Sequence, residues 1–354
     1  MKILHIITLS ELGGAQSVVY NLVNEHSKKH EIHIISGGNG DAWEGLRRVK
    51  VHLIKDLYRN ISLKDIAVLK ELRKLKKVIN PDVIHLHSSK MGVLGRLVFD
   101  AKKIVYTVHG FDSIRIANRK FLFVEKLLKN KAYKIIGVSK YDEINLTKEE
   151  IFSNVECIYN GIDDISEKTY INYNKAILYK IDSIKQKYNF IVCCIARDNQ
   201  QKKIDLFIEI AKQMPDIAFV WMGNDNSYTR LSDNIFLFGK VPTAAVYLKY
   251  MDLFVLPSNY EGLPMSIIEA LSMSLPVVAS DVGGISELLD GTNGFTSENR
   301  VEDFTSKINR ILSDPVLYKS MSKKARETYE NKFTLKMMAD NYERVYNEIY
   351  SKNE

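Results

Sequence analysis

The feature that most limits what this chain can fold into is its alternation of short apolar, β-branched runs with stretches of helical period. Strands are predicted at Ile3–Thr8, Ile32–Ser36, Val49–Ile54, Val83–Leu86, Ile104–Val108, Lys134–Val138 and Val155–Tyr159. A second series follows at Phe190–Ala196, Ala218–Met222, Ile235–Phe238, Leu253–Leu256 and Pro276–Ala279. Helical patterns such as Gln16–Lys29 and Lys64–Val78 lie between them. Near-continuous apolar strands separated by helices mark parallel sheets covered on both faces. Right-handed crossovers then make each series a doubly wound α/β sheet.

At 354 residues the chain exceeds the roughly 250–300 residues at which one hydrophobic core stops growing. Two domains are expected, 1–165 and 185–334. The seam is expected between Asn160 and Asn189, where the pattern weakens into a polar stretch. Beyond Asp314-Pro315 only helical pattern remains, and the break at Lys332–Thr334 would let the last helix, 335–354, return onto the first domain. No solenoid-length repeat interrupts this scheme.

Composition narrows the class of protein. With 45% hydrophobic residues the chain is globular, and no apolar run reaches the ~20 residues that span a bilayer. No small-residue cleavage site follows the first strand, so a signal peptide is not expected. Cys157, Cys193 and Cys194 are too few for a disulfide framework, and reduced thiols in a cytoplasmic protein are expected. The net charge of +7 calls for an anionic partner: nucleic acid, membrane or phosphorylated substrate.

Ligands of open parallel sheets bind beyond the carboxyl ends of the strands, so chemistry is sought there. The strongest local signal is the segment Tyr260 to Ala270, which follows the run DLFVLPS and opens a helix. Amides of Gly262, Leu263, Met265 and Ser266 would face a phosphate, with Pro264 at the first helical position. Glu261 and Glu269 frame the segment; carboxylates so placed suit a hydroxyl-rich ligand, and solvated helix charges are the alternative. Arg197 closes a strand and Lys202 opens the next helix, where together they could clamp a diphosphate. Lys203 is an equally available neighbour.

Gly13-Gly14 makes a strand-to-helix turn with exposed amides, and Asp281-Val282-Gly283-Gly284 makes a second. His109 ends a strand and could bind a ligand or share a proton. His85 and His87 share a face by period 2, but with no third ligand at suitable spacing zinc is not expected. No Asp-x-Asp occurs to hold a metal on a nucleotide. Residues 115–134 carry seven basic residues and one Glu among Phe121, Leu122, Phe123, Leu127 and Leu128. A basic amphipathic helix of this type can lie on an anionic membrane; a surface helix packing its stripe inward is the alternative. No nucleic-acid-binding pattern is present.

Over nearly its whole length the chain resembles the retaining family-4 glycosyltransferases of the GT-B fold. The matching features come in the family's order: Gly13-Gly14-Ala15, TVHG with His109, GVSKY around Ser139, Asn160-Gly161 with Asp163, Arg197, Gln201-Lys202, Glu261-x7-Glu269, and Asp281 to Gly284 with Glu287. Ala196 and Lys203 stand where glycines are common. The resemblance implies two Rossmann-like domains facing across a cleft, the first binding an acceptor and the second a nucleotide sugar, UDP-sugar before GDP-sugar.

It further implies that Arg197 and Lys202 neutralise the departing diphosphate, helped by amides near Gly262–Ser266. Glu269 would accept from ribose hydroxyls, Glu261 from the donor sugar, and His109 would contact that sugar; Gly14 belongs to the first-domain glycine loop. The anomeric configuration would be retained, without metal or other cofactor. The implied acceptor is a glycan, with a lipid-linked oligosaccharide of capsule, exopolysaccharide or O-antigen assembly favoured by the basic stretch. The protein would then sit in the cytoplasm, peripheral to the inner face of the membrane. Two other readings stay open, a UDP-sugar epimerase of the same fold and a non-enzymatic sugar-binding protein.

Overall fold

The computed structural model describes residues 1–151, 153–166, 174–224, 228 and 231–352. It divides into two compact units, Met1–Asp163 with Leu335–Glu354, and Asp164–Thr334. Part of the polar stretch in which the seam was expected, residues 167–173, lies outside the described residues, as do the last two residues of the returning helix.

Unit 1 is built on β1 (Lys2–Leu9), β2 (Glu31–Gly37), β3 (Val49–Leu53), β4 (Val83–His87), β5 (Ile104–Val108), β6 (Lys134–Gly137) and β7 (Val155–Cys157). Their order in the sheet is β3-β2-β1-β4-β5-β6-β7, and every pairing is parallel. The strand order reverses direction between β1 and β4, the place where open α/β sheets leave a crevice. β4 and β5 are buried along their whole length, and that burial takes in the polar side chains of His85, His87 and Thr107 as well as the apolar ones.

The helix Leu335–Ser351 belongs to this unit. It buries Met338, Ala339, Tyr342, Val345, Tyr346 and Ile349. His26 shares a 3.0 Å hydrogen bond with the Ala339 carbonyl, and the Leu335 amide donates to Ile162 O at 2.7 Å. A helix distant in sequence thus closes one face of the first sheet.

Unit 2 is built on β8 (Ile191–Ile195), β9 (Ala218–Met222), β10 (Ile235–Leu237), β11 (Leu253–Leu256), β12 (Val277–Ser280) and β13 (Gly294–Ser297). The order is β10-β9-β8-β11-β12-β13, again parallel throughout, with its reversal between β8 and β11. Cys193 and Cys194 are buried free thiols within β8.

Two expectations are corrected. Residues 115–134 do not form one helix: a single turn at Asp112–Arg115, a 3-10 turn at Arg119–Phe121 and a short helix at Leu122–Leu127 replace it. The reason is a buried anchor. Glu125 accepts from the buried Arg96 guanidinium at 2.6 Å, and Arg96 lies over the Tyr106 ring, so Leu122 and Leu128 turn inward while Phe123 and Leu127 stay exposed. Second, Pro264 is the cap of the helix Met265–Ser272 and not its first residue. Among the described residues no helix is long and apolar enough to cross a membrane.

Candidate functional site

In unit 2 the residues singled out above gather at the carboxyl ends of β8 and β11. The loop after β8 carries Arg197 to Lys203, and the loop after β11 carries Ser258 to Pro264. Three hydrogen bonds staple the loops together: Asn259 N to Gln201 O at 2.8 Å, Asn259 Nδ2 to Gln200 O at 2.7 Å, and Gln201 Nε2 to Tyr260 O at 2.9 Å. The staple brings Lys202 Nζ into a close ion pair with Glu261 Oε1, which also accepts from Ser258 Oγ at 2.7 Å. Glu261 is buried, and Lys202 keeps only part of its side chain in contact with solvent. Sequence reasoning named both residues but not their contact.

Lys203 has φ 43°, left-handed backbone that a glycine would adopt without strain, and it caps the helix Ile204–Lys212. Of the two lysines, Lys202 turns to Glu261, while Lys203 makes the bend. Arg197 is exposed just past β8 and takes part in no hydrogen bond or ion pair among the described residues. Its guanidinium is open to an anion, though not in contact with Lys202 or Glu261.

The loop from Glu261 to Pro264 is held from the other side by the turn Asp281–Gly284. Gly284 N donates to Gly262 O at 2.9 Å. Gly283 has φ +60°, and a Cβ there would lie 1.9 Å from the Glu261 carbonyl oxygen. The side chains of Leu263 and Met265 are buried, so only their backbone is offered to a ligand; Gly262 and Ser266 are half-buried. Glu269 is half-buried on the following helix, and burial pushes its carboxyl up to about 7.

In unit 1 Gly14 is exposed and opens the helix Gly14–His26 right after β1. His109 stands at the end of β5, half-buried, and desolvation holds its imidazole down at about 4. Gly110 follows with φ 102°, and Phe111 N donates to the buried Asp142 carboxylate at 2.8 Å. Ser139 in turn caps the helix that carries Asp142, at 3.1 Å. The His109 turn is therefore built on GVSKYD, a support that no local pattern announced.

His85 and His87, which lack a third ligand at suitable spacing along the chain, gain one in space. β1 supplies the third imidazole: His5 pairs with His85, and ring nitrogens of His5, His85 and His87 lie within 4.8 Å of one another. The set nevertheless fits a metal poorly, because five of its six ring nitrogens are already engaged in hydrogen bonds and only His5 Nε2 is left over among the described residues. His87 is hydrogen-bonded to His5 and His109, each at 3.1 Å, and His85 to the Tyr346 hydroxyl at 2.6 Å and Thr107 Oγ1 at 2.7 Å.

With this geometry in view, the comparisons with known proteins decide the family. The description Glycosyl transferases group 1 matches residues 189–314, and Glycosyltransferase Family 4 matches residues 12–165. The chain is 32% identical to the UDP-Gal:alpha-D-GlcNAc-diphosphoundecaprenol alpha-1,3-galactosyltransferase of Escherichia coli, over 98% of this chain and 96% of that protein. The chain belongs to glycosyltransferase family 4. This family-4 glycosyltransferase is also 28% identical to the O-antigen biosynthesis glycosyltransferase WbnH of Escherichia coli, over 96% of its own length and 97% of WbnH. Among solved structures it is similar to Anabaena HepE in complex with UDP, with a TM-score of 0.83 and 20% identity over 98% of this chain and 100% of that one. The glycosyltransferase thus has the GT-B fold, and its two parallel-sheet domains are those of that fold.

Proposed function

We propose that this glycosyltransferase moves a sugar, with retention of configuration, from a UDP-sugar to a hydroxyl of a lipid-linked glycan in bacterial surface polysaccharide synthesis. The observation that carries the reading is the Lys202–Glu261 pair at the β8/β11 switch point, a cation and a carboxylate held where a nucleotide sugar would lie. The Escherichia coli relatives, one acting on a diphosphoundecaprenol-linked sugar, support the acceptor class. UDP in HepE supports the choice of base.

Arg197, Lys202 and the amides near Gly262–Ser266 neutralise the diphosphate as its bond to the anomeric carbon breaks, the largest electrostatic demand of the reaction. Glu269 accepts from ribose hydroxyls, Glu261 from the sugar, and His109 hydrogen-bonds the sugar. The acceptor hydroxyl oxygen attacks the anomeric carbon from the side the phosphate leaves. The carbon–phosphate-oxygen bond breaks as the new glycosidic bond forms, and the hydroxyl proton passes to the leaving phosphate. With Arg197 and Lys202 carrying that charge, no metal or cofactor is assigned a role. The exposed Phe123 and Leu127, with Lys120 and Lys126 beside them in sequence, favour a peripheral place on an anionic membrane at its cytoplasmic face.

The experiment is nucleotide release from a panel of UDP- and GDP-hexoses and N-acetylhexosamines, with and without a lipid-diphosphate sugar. A UDP-sugar should be consumed and an α-linked product formed from an α-linked donor. Lys202→Ala and Glu261→Ala should each lose about a hundredfold in turnover. Release from no donor, or a product of inverted anomer, would overturn the proposal in whole or in its stereochemistry.

A further inference from the structure

Unit 1 contains a line of imidazoles that this reaction leaves without a task. β1 and β4 meet at the switch point of the sheet with His5 opposite His85, and His87 lies two residues on, on the same face of β4. His5 Nδ1 is 3.1 Å from His87 Nε2, and His87 Nδ1 is 3.1 Å from His109 Nε2. Both pairs of rings are stacked, with centroids 5.4 Å apart. What packs around the line is mostly neutral. His85 lies against His87 with both nitrogens engaged, Tyr346 and Tyr342 come from the helix Leu335–Ser351, and Thr107 bridges His85 and Tyr342. His26, from the helix Gly14–His26, also lies against Tyr346.

The inner end of the line decides its direction. His5 Nε2 is buried and has no hydrogen-bond partner among the described residues. A neutral imidazole has one N–H and one lone pair, so the orphan is either a donor or an acceptor. A buried N–H without an acceptor is the rarer and costlier case. His5 therefore carries its proton on Nδ1 and donates to His87 Nε2. His87 must then carry its own on Nδ1 and donate to His109 Nε2. His109 is left with its proton on Nδ1, the ring nitrogen turned away from the line. Burial keeps all three rings uncharged, with His5 down at about 3, His109 at about 4 and His87 well below the usual histidine range.

We propose that His87, backed by His5, is a positioning residue that holds His109 as its Nδ1–H tautomer, so that His109 meets the sugar as a neutral hydrogen-bond donor to an oxygen. This deepens, and rests on, the reading that His109 contacts the sugar being moved. A neutral donor orients a hydroxyl or ring oxygen without placing a cation beside a carbon that becomes positive as its bond to phosphate breaks. The line is not a proton wire. A proton lost at His109 Nδ1 would have to be replaced through His87 from His5, and among the described residues no donor stands behind His5.

The test is a two-bond proton–nitrogen spectrum of the full-length protein labelled at histidine, at neutral pH, with His109→Gln used to assign the His109 signals. The expected result is a protonated Nδ1 and an unprotonated Nε2 at His109. A proton on Nε2, or an even mixture, overturns the proposal. His87→Leu should shift His109 toward the Nε2–H form and lower kcat for nucleotide release by about tenfold, with donor KM held within about twofold. His87→Asn, whose amide can donate from near the Nδ1 position, should recover most of that loss. The wild-type spectrum decides the tautomer by itself, so a His87→Leu chain that fails to fold does not shelter the proposal. The expected tautomer together with unchanged turnover in His109→Gln would overturn the contact between His109 and the sugar. The wrong tautomer with impaired His109→Gln turnover would overturn the positioning alone.

Discussion

Glu269 sits near its ionisation point at neutral pH, because burial disfavours its charged form and raises the carboxyl to about 7. A carboxylate accepts a hydroxyl's hydrogen bond more strongly than the neutral acid does. UDP should therefore bind more tightly as pH rises through 7, by about five- to tenfold between roughly pH 6 and 8. Calorimetric titration with UDP checks this, and Glu269→Gln should flatten the dependence; equal slopes in both proteins would sink it. The effect on folding has its own sign. Since the folded pKa is raised above the ordinary value of 4.5, the group's contribution to stability is present below that value and is lost as pH climbs toward 7. The carboxylate was legible in the sequence through its spacing from Glu261. Its burial was not, because spacing along a helix reports a face and not what covers it.

At the scale of elements, the turn Asp281–Gly284 acts as a buttress to the loop that carries Glu261. Gly283→Ala combines positive φ with a Cβ placed on the Glu261 carbonyl. It should cost about 2–3 kcal/mol and also slow nucleotide release, by displacing Glu261 from Lys202. Gly291→Ala is the control, since Gly291 also has positive φ (+87°) but nothing among the described residues lies within 4 Å of its added Cβ. Denaturant unfolding and turnover measured on both variants separate strain from displacement: equal losses in the two would mean that the buttress does nothing. Strands were read well from the sequence because their runs are apolar on both faces; Ile104–Val108, Ala218–Met222 and Leu253–Leu256 are found at the expected residues. β13, Gly294–Ser297, was missed because GFTS is half-exposed at Phe295 and Thr296 and has none of the β-branched apolar run that marks its neighbours. The segment 115–134 was misread as one helix for the opposite reason. Its period was sound, but Glu125 is drawn inward by Arg96, which lies about thirty residues earlier in the chain and on another helix.

At the scale of the whole molecule, all eight histidines lie in unit 1, within its first 109 residues. His5, His85, His87 and His109 have their pKa lowered from 6.5 mainly by burial. The unfolded chain therefore binds more protons than the folded one below about pH 6.5, and stability is lost as pH falls from there toward the folded values. Unit 1 should melt progressively earlier than unit 2 between about pH 6.5 and 4. Scanning calorimetry of the intact chain checks this; two transitions that fall in parallel with acid would contradict it.

The sequence by itself determined the two parallel-sheet series, the order of the motifs and the residue types of the candidate site, since periodicity and strand-end chemistry are local properties of the chain. Only the tertiary structure decided that Lys202 meets Glu261 across 59 residues, and that His5 backs His87 across 82. It also decided that the helix Leu335–Ser351 covers the histidine-bearing face, through Tyr342 and Tyr346. The physical reason is common to all three. A local pattern shows which face of an element is buried, while the partner on that face is set by sheet order, which joins residues far apart in the chain.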